Sequence, residues 1–355
     1  MVLDCRRVPG AADLPDLQHP QALVKLMGSG RSETDRDRAE PDGGPQARLD
    51  PRRLLVFREV GHRGTMAAAA RALGWTQPAV SQHVRRLERD IALPLIARVG
   101  RGLELTDAGR VLLRHADAVA AALAAADHTM ADLAGLRSGT VRLAAFPSAS
   151  ATLVAAAVSS LAAAHPALDV RLTQVEPPEA TALLARGEAD VAVVFEYPDQ
   201  PEPADPVTLT AVPLLDDPLR VVLPTDHPLA SQAAVTLLAL ARERWIAGCP
   251  RCRQHLLRRA ANAGFTPDIR HSTDDYVVVQ SLVAAGTAVA ILPSLALAAS
   301  QRTDIRALPL IDQLPRAVTA LLHPDTSTAL AVTATVEHLR RAATEHRKSH
   351  PDPSR

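Results

Sequence analysis

Two short helical patterns meet at Gly74-Trp75, and this junction constrains the 355-residue chain more than any other feature. Met66–Leu73 repeats apolar residues at helical spacing, and a second helix is predicted to open at Thr76-Gln77-Pro78. Thr76 is expected to cap that helix through its hydroxyl. Pro78 is tolerated in a first turn, where backbone N–H groups have no helical partner. Val80, Val84 and Leu87 form the inner face. Ala70 is small where the helices cross, Gly74 supplies a left-handed turn, and Val80 plugs the pair, as a helix-turn-helix requires. Gln77, Ser81, Gln82 and Arg85 then point outward. Their amide, hydroxyl and guanidinium groups can pair with base edges in a major groove. Arg53, Arg63, Arg86 and Arg89 are placed to meet phosphates, which position a duplex without reading it.

The next segment, Arg98-Val-Gly-Arg-Gly-Leu-Glu-Leu-Thr106, reads as a short hairpin with Arg98 and Arg101 at a basic tip. Such a wing contacts a minor groove or phosphates. Total charge is uninformative, since Lys+Arg and Asp+Glu both number 39, but its distribution is informative. Residues 50–110 hold 11 Arg against 6 acidic residues, so a basic head precedes a mildly acidic body. Residues 1–48, rich in Pro, Gly, Asp and Arg, read as a disordered extension of the kind an upstream start codon adds.

From Thr106 to about Leu136 one long helix is predicted. Leu112, Ala116, Val119, Leu123, Ala126, Met130 and Leu133 step alternately by four and three, which is the seam of a self-pairing helix. Beyond Gly139 strands and helices alternate. Strands are expected at Val141–Phe146, Leu168–Val175, Asp190–Phe195, Arg220–Leu223, Trp245–Ala247 and Val289–Leu292. Helices are expected at Thr152–Ala164, Pro178–Arg186, Cys252–Ala263 and Asp275–Ala285. With crossing segments near 207–218 and 305–323, this implies two α/β lobes with parallel sheets around a cleft.

The run from Leu54 to Leu113 resembles the DNA-binding domain of LysR-type transcriptional regulators. The resemblance rests on Ala69-Ala70, Leu73, Thr76–Ser81, Leu87-Glu88 and Leu105–Gly109. Thr76 stands where the family usually has Ser, and Ala92 and Ile96 where it has Gly and Phe. Further on, GEADVAVVF (187–195), VVLPTDHPLA (221–230) and LVAAGTAVAILP (282–293) match its effector-binding domain.

The resemblance implies a winged helix-turn-helix head over 49–107 and a dimerising linker helix over 108–137. A two-lobed, periplasmic-binding-protein-like α/β effector domain over 138–345 and a tail over 346–355 follow. It implies a non-enzymatic regulator, without cofactor, whose partners are an operator duplex, a small-molecule effector, RNA polymerase and further copies in a dimer or tetramer. Thr76, Gln77, Pro78, Ser81, Gln82, Arg85, Arg86, Arg98 and Arg101 are the candidate DNA contacts. No secretory signal or membrane-length apolar run is evident at this level, and three cysteines make no disulfide framework, so a reducing cytoplasm is expected.

In two-lobed α/β folds ligands sit at the carboxyl ends of strands, beside helix starts. That rule nominates Ser148, Ala149, Ser150 and Thr152 after the first strand. It also nominates Glu176, Phe195, Gly248 and Thr273 after later ones, and by resemblance these line the effector cleft. Cys249-Pro250-Arg251-Cys252 follows a strand and opens a helix. Helix-start amides and guanidinium groups favour a thiolate there, so a redox-sensing pair stands beside plain cleft-lining thiols and a weak Cys-Cys-His metal pattern with His255.

Overall fold

The computed structural model describes residues 49–99, 102–133, 139–199, 209–311 and 314–350. The expected N-terminal extension, Arg101 with its turn, residues 134–138 and the last five residues lie outside the described residues. So does the side chain of Arg98. The chain divides into two compact units, one ending at Asp127 and one beginning at His128.

In the first unit, α1 (Pro51–Arg63) starts where the Asp50 carboxylate accepts the backbone N–H of Arg52 at 2.9 Å. α2 (Met66–Leu73) starts where Thr65 Oγ1 accepts the N–H of Ala68 at 3.1 Å, and ends at Gly74 with φ 67°. α3 (Gln77–Ile91) follows directly. Val56, Phe57, Val60, Ala69, Ala70, Leu73, Val80, Val84, Leu87 and Leu95 form one buried cluster under the three helices. Strands β1 (Ile96–Val99) and β2 (Gly102–Leu105) pair antiparallel, with Ile96 opposite Leu105, and make the expected hairpin.

The long helix α4 (Asp107–Leu133) follows the hairpin. Its first turns belong to the head. Leu112 and Leu113 pack on the head core, and Asp117 accepts from Arg58 Nε at 2.8 Å while lying 2.7 Å from His62 Nε2. A Cβ on Gly109 would fall 2.2 Å from the carbonyl oxygen of Leu95, so only glycine fits that crossing.

The second unit holds two five-stranded sheets. In the first lobe are β3 (Gly139–Ala145), β4 (Leu168–Gln174), β5 (Val191–Glu196), β6 (Thr210–Asp217) and β12 (Arg316–Leu322), ordered β4-β3-β5-β12-β6. In the second are β7 (Leu219–Pro224), β8 (Arg244–Ala247), β9 (Asp268–Ser272), β10 (Val289–Pro293) and β11 (Ile305–Pro309), ordered β11-β7-β10-β8-β9. The sheets are mixed, not parallel. β3 runs parallel to β4 and β5, and β8 to β9 and β10, but β12 is antiparallel to β5 and β6, and β7 to β10 and β11. The expected crossing segments are therefore themselves strands, since β6, β11 and β12 complete the sheets where the chain changes lobe.

Helix α5 (Pro147–Ala164) begins earlier than expected and contains a π turn at Ser150–Val154. It is long and apolar enough to cross a membrane, but Leu153, Val154 and Ala157 are buried in the first lobe's core, and Leu161 is also buried. α6 (Pro177–Ala185), α7 (Pro250–Asn262), α8 (Tyr276–Ala284) and α9 (Ser294–Ala299) follow. The expected tail from residue 346 is helical as far as Ser349, because α10 (Leu330–Ser349) buries Val332, Val336, Leu339 and Ala343 against the first lobe.

Candidate functional site

On α3 the burial of Val80, Val84 and Leu87 decides what the opposite face offers. Gln77, Pro78, Gln82, Arg85 and Arg86 are exposed, and Ser81 is half-buried. Thr76 occupies the N-cap, but its hydroxyl makes no capping bond, contrary to expectation, and it remains exposed at the helix start. Arg53, expected to meet phosphate, is instead tied to Asp50 at 3.3 Å and to Asp90, so its charge is locally compensated. Arg63 lies 3.5 Å from Glu59. Glu88 Oε1 accepts the N–H groups of Leu95 and Ile96 at 2.8 and 3.2 Å, which anchors the wing to the end of α3. Thr106 Oγ1 donates to the Pro94 carbonyl at 2.7 Å and accepts from Gly109 N at 3.0 Å, joining the wing to α4.

Between the lobes the organising residue is Arg316, which sequence reasoning missed. It is fully buried on β12, donates from Nε and Nη2 to Asp217 Oδ2 at 2.9 and 2.8 Å, and from Nη2 to Ser148 Oγ at 2.8 Å. Burial opposes its charge, but Asp217 and the nearby Tyr276 and Tyr197 hold the guanidinium above its usual range. Asp217 is also fully buried. Burial pushes its carboxyl up, while Arg316 and the backbone N–H of Leu295 pull against that. The guanidinium lies 4.8 Å over the Phe146 ring and 4.3 Å over Phe195, and these rings meet edge-on at 4.9 Å. Tyr197 continues the aromatic row at 5.6 Å from Phe195 and stacks flat on His255 at 3.9 Å. Tyr276 lies nearby, and burial first of all raises its hydroxyl to about 12.

The nominated residues divide around this cluster. Ser148, Glu176, Phe195 and Gly248 adjoin it. Thr273 sits at the start of α8, its N–H donating to Ala247 O at 3.0 Å and its hydroxyl accepting from Asp275 N at 3.2 Å. Ala149 and Ser150 are buried. Ala149 is fully buried in the first lobe's core, and Ser150 Oγ donates to the carbonyls of Ala145 and Phe146 at 3.2 and 3.0 Å. Thr152 Oγ1 likewise donates back to Ser148 O at 2.7 Å. These hydroxyls satisfy backbone carbonyls within the helix instead of presenting themselves at its start. Glu176 is different: its Oε2 is buried with no hydrogen-bond partner, and burial raises its carboxyl, with Cys249 acting the other way.

A readable signal existed for the cluster. The chain has four Phe and two Tyr, and Phe146, Phe195, Tyr197 and Tyr276 all gather here. A separate cavity of about 710 Å³ opens at the crossings between lobes, with Asp216, Arg220, Ser294, Arg306 and His346 in its wall.

Cys249 is the N-cap of α7 and Cys252 lies in its first turn, their sulfurs 3.0 Å apart. Among the described residues no group of three or more His, Cys, Asp or Glu is placed to hold a metal, so the expected weak metal pattern finds no geometry.

A three-helix winged head, a long helix and a two-lobed α/β unit with a polar cluster between its lobes define the class: a helix-turn-helix protein coupled to a ligand-binding fold. The family model for the bacterial regulatory helix-turn-helix protein, lysR family, matches residues 51–110, and the LysR substrate binding domain matches 134–344. The chain belongs to the LysR family. It is 30% identical over 203 residues to the RuBisCO operon transcriptional regulator of Allochromatium vinosum, covering 55% of this chain and 62% of that protein. It thus spans about three-fifths of the first relatives it matches. The fold superposes on full-length OxyR C199D from Pseudomonas aeruginosa with a TM-score of 0.61 at 18% identity, covering 83% of this chain and 95% of that one. It superposes on CbnR, a LysR family transcriptional regulator, with a TM-score of 0.55 at 22% identity, covering 83% and 99%.

Proposed function

We propose that the chain is a sequence-specific transcriptional regulator that acts by binding. It reads an operator duplex through α3 and changes its hold on that operator when a small molecule occupies the cleft around Arg316. One observation carries the reading: α3 turns Val80, Val84 and Leu87 into the head core and leaves Gln77, Gln82, Arg85 and Arg86 exposed on the outer side. Gln pairs bidentately with adenine and Arg with guanine. The basic wing adds phosphate or minor-groove contacts, with Arg98 and Arg101 as its cations.

In this reading residues 49–107 bind DNA, 108–137 pair two copies, and the α/β lobes from 138 onward receive the effector. Dimers, joined as a tetramer, engage RNA polymerase from a cytoplasmic operator. The effector meets Ser148, Phe195, Gly248 and Thr273, and carries a hydrogen-bond donor for the buried Oε2 of Glu176. It switches the protein only by binding one lobe arrangement more tightly than the other.

The test is selection of genomic fragments by the purified full chain at physiological salt, followed by affinity measurements on the enriched sequence. An enriched site near which Gln77→Ala costs about 1–3 kcal/mol is expected if Gln77 reads a base. Arg101→Ala should weaken all duplexes alike. Equal affinity for natural and scrambled duplexes would overturn the reading.

A further inference from the structure

The thiol pair on α7 has a geometry that cleft lining does not require. Cys249 is the N-cap of α7, and its Sγ accepts the backbone N–H of Cys252 at 3.5 Å. The same thiol donates to Cys252 Sγ at 3.0 Å. Tyr197 donates its hydroxyl to Cys252 Sγ at 3.5 Å, with its ring held flat against His255. Two hydrogen bonds thus converge on one sulfur, whereas a thiol serving as a small apolar filler needs none. Cys249 is buried and Cys252 is half-buried, so Cys252 is the more exposed residue of the pair.

We propose that Cys252 is a peroxide-reactive nucleophile and Cys249 its resolving thiol, forming a two-electron oxidation site at the boundary between the lobes. In the first step the Cys252 thiolate attacks the distal oxygen of a small hydroperoxide. The S–O bond forms, the O–O bond breaks, and the departing hydroxide of hydrogen peroxide (or alkoxide of an organic hydroperoxide) takes a proton from solvent and leaves as water (or alcohol). In the second step Cys249 Sγ attacks the Cys252 sulfenic acid. The S–S bond forms, the S–O bond breaks, and the departing hydroxide leaves as water with the proton from Cys249. Two thiols lose two electrons and the peroxide gains them.

The electrostatics agree with this division of roles. The hydrogen bond from Cys249, above all, draws the Cys252 thiol down to about 7, with Arg316 and Tyr197 assisting and burial opposing. The same hydrogen bond, together with burial, pushes the Cys249 thiol up, so the proton stays on the resolving partner. The assignment reverses what a helix start alone suggests, since the N-cap thiol is here the protonated one.

The site also has a route outward. Tyr197, just after β5, belongs to the first lobe and donates its hydroxyl to Cys252 of the second. Joining the sulfurs consumes the thiolate that Tyr197 meets, which weakens a polar link between lobes. This output rests on the regulator reading above; the sulfur chemistry does not.

The experiment treats the reduced full chain with hydrogen peroxide. Titratable thiols should fall from three to one, with tryptic peptide Trp245–Arg251 linked to Cys252-Arg253. Cys252→Ala should abolish the fast reaction. Cys249→Ala should stop at a sulfenic acid that a dione probe traps at residue 252. Tyr197→Phe should shift the pH profile of Cys252 alkylation upward while leaving the fold intact by circular dichroism. Oxidised glutathione at equal concentration should leave the pair reduced.

Operator affinity should change on oxidation by about 5–100-fold in the wild type and in neither cysteine variant. Fast oxidation of Cys252→Ala, no 249–252 linkage, faster reaction with glutathione disulfide, or a disulfide without any change in operator affinity would overturn the proposal. A reduced chain that shows no operator preference would defeat the regulator reading while leaving the peptide linkage to be judged separately.

Discussion

Asp217 and Arg316 face each other with both side chains 1% exposed, and this pair is where one residue governs most structure. Removing one member of a buried ion pair leaves the other charge uncompensated, which costs about 3–5 kcal/mol, although replacing both with apolar groups is often neutral. Arg316→Met should therefore lower stability by about that amount in denaturant unfolding, and Asp217→Leu/Arg316→Met should recover most of it. A single variant as stable as wild type would show that the guanidinium is not the anchor. His83 gives a pH prediction. Its ring lies 5.1 Å from Trp75 and its Nδ1 is buried without a hydrogen-bond partner; burial, then Arg52 and Arg53, push its pKa below 6.5. The unfolded chain then binds more protons than the folded one between the lowered value and 6.5. The neutral ring's stabilisation is complete above that window and declines as pH falls through it. His338 and His346 shift in the same direction, so the check is the difference between wild type and His83→Gln, which should narrow on acidification. Neither the Asp217–Arg316 pair nor His83 was legible from sequence, although the scarce aromatic residues that gather around Arg316 were. Arg316 carries no motif, and its role comes from β6 and β12 pairing side by side, which places Asp217 opposite Arg316.

The turn from α3 into the wing departs from the pattern that the resemblance implies. Ala92, where the resemblance expects Gly, closes α3 with φ 55°, the only positive φ at a non-glycine among the described residues. A left-handed alanine costs about 1–2 kcal/mol, partly offset because alanine also restricts the unfolded chain. Ala92→Gly should stabilise the head by about 0.5–1 kcal/mol, read as a higher melting temperature with unchanged operator affinity. A lower melting temperature would mean that the Cβ makes contacts outweighing the strain. Elements with strong helical period and clear ends, such as α2 with Thr65 and Gly74, were readable to the residue. Strands β6 and β12 were not. β12 alternates buried and exposed positions, but Ala317, Ala320 and Leu321 blur that alternation in sequence, and β6 carries Pro213 beside a register shift in their pairing. The hydroxyls of Ser150 and Thr152 lie inside α5, which begins at Pro147, so their nearest acceptors are the helix's own carbonyls.

At the scale of the whole molecule the question is what α4 does beyond the head. Its stripe was readable as a seam, but the structure splits it. Leu112 is committed to the head core, Ala116 is buried, and Val119 and Leu123 are only half-buried. Met130 is 58% exposed. A leucine and a valine left half-open on one face, followed by an exposed methionine, form an incomplete core of the width that a second helix fills. If α4 pairs two copies, the pairing stripe within 108–137 is expected to begin near Val119 and not at Leu112. Two substitutions separate the segments. Leu123→Asp should leave the head folded, convert dimers to monomers in sedimentation velocity, and weaken operator binding, because one head reaches only one half-site of a two-fold operator. Leu112→Asp should instead destabilise the head, since it places a charge against a packed apolar core. If Leu123→Asp sediments like wild type, the seam is wrong and the dimer must be held elsewhere. If Leu112→Asp loses the dimer while keeping its folded head, the seam begins where the sequence alone first placed it.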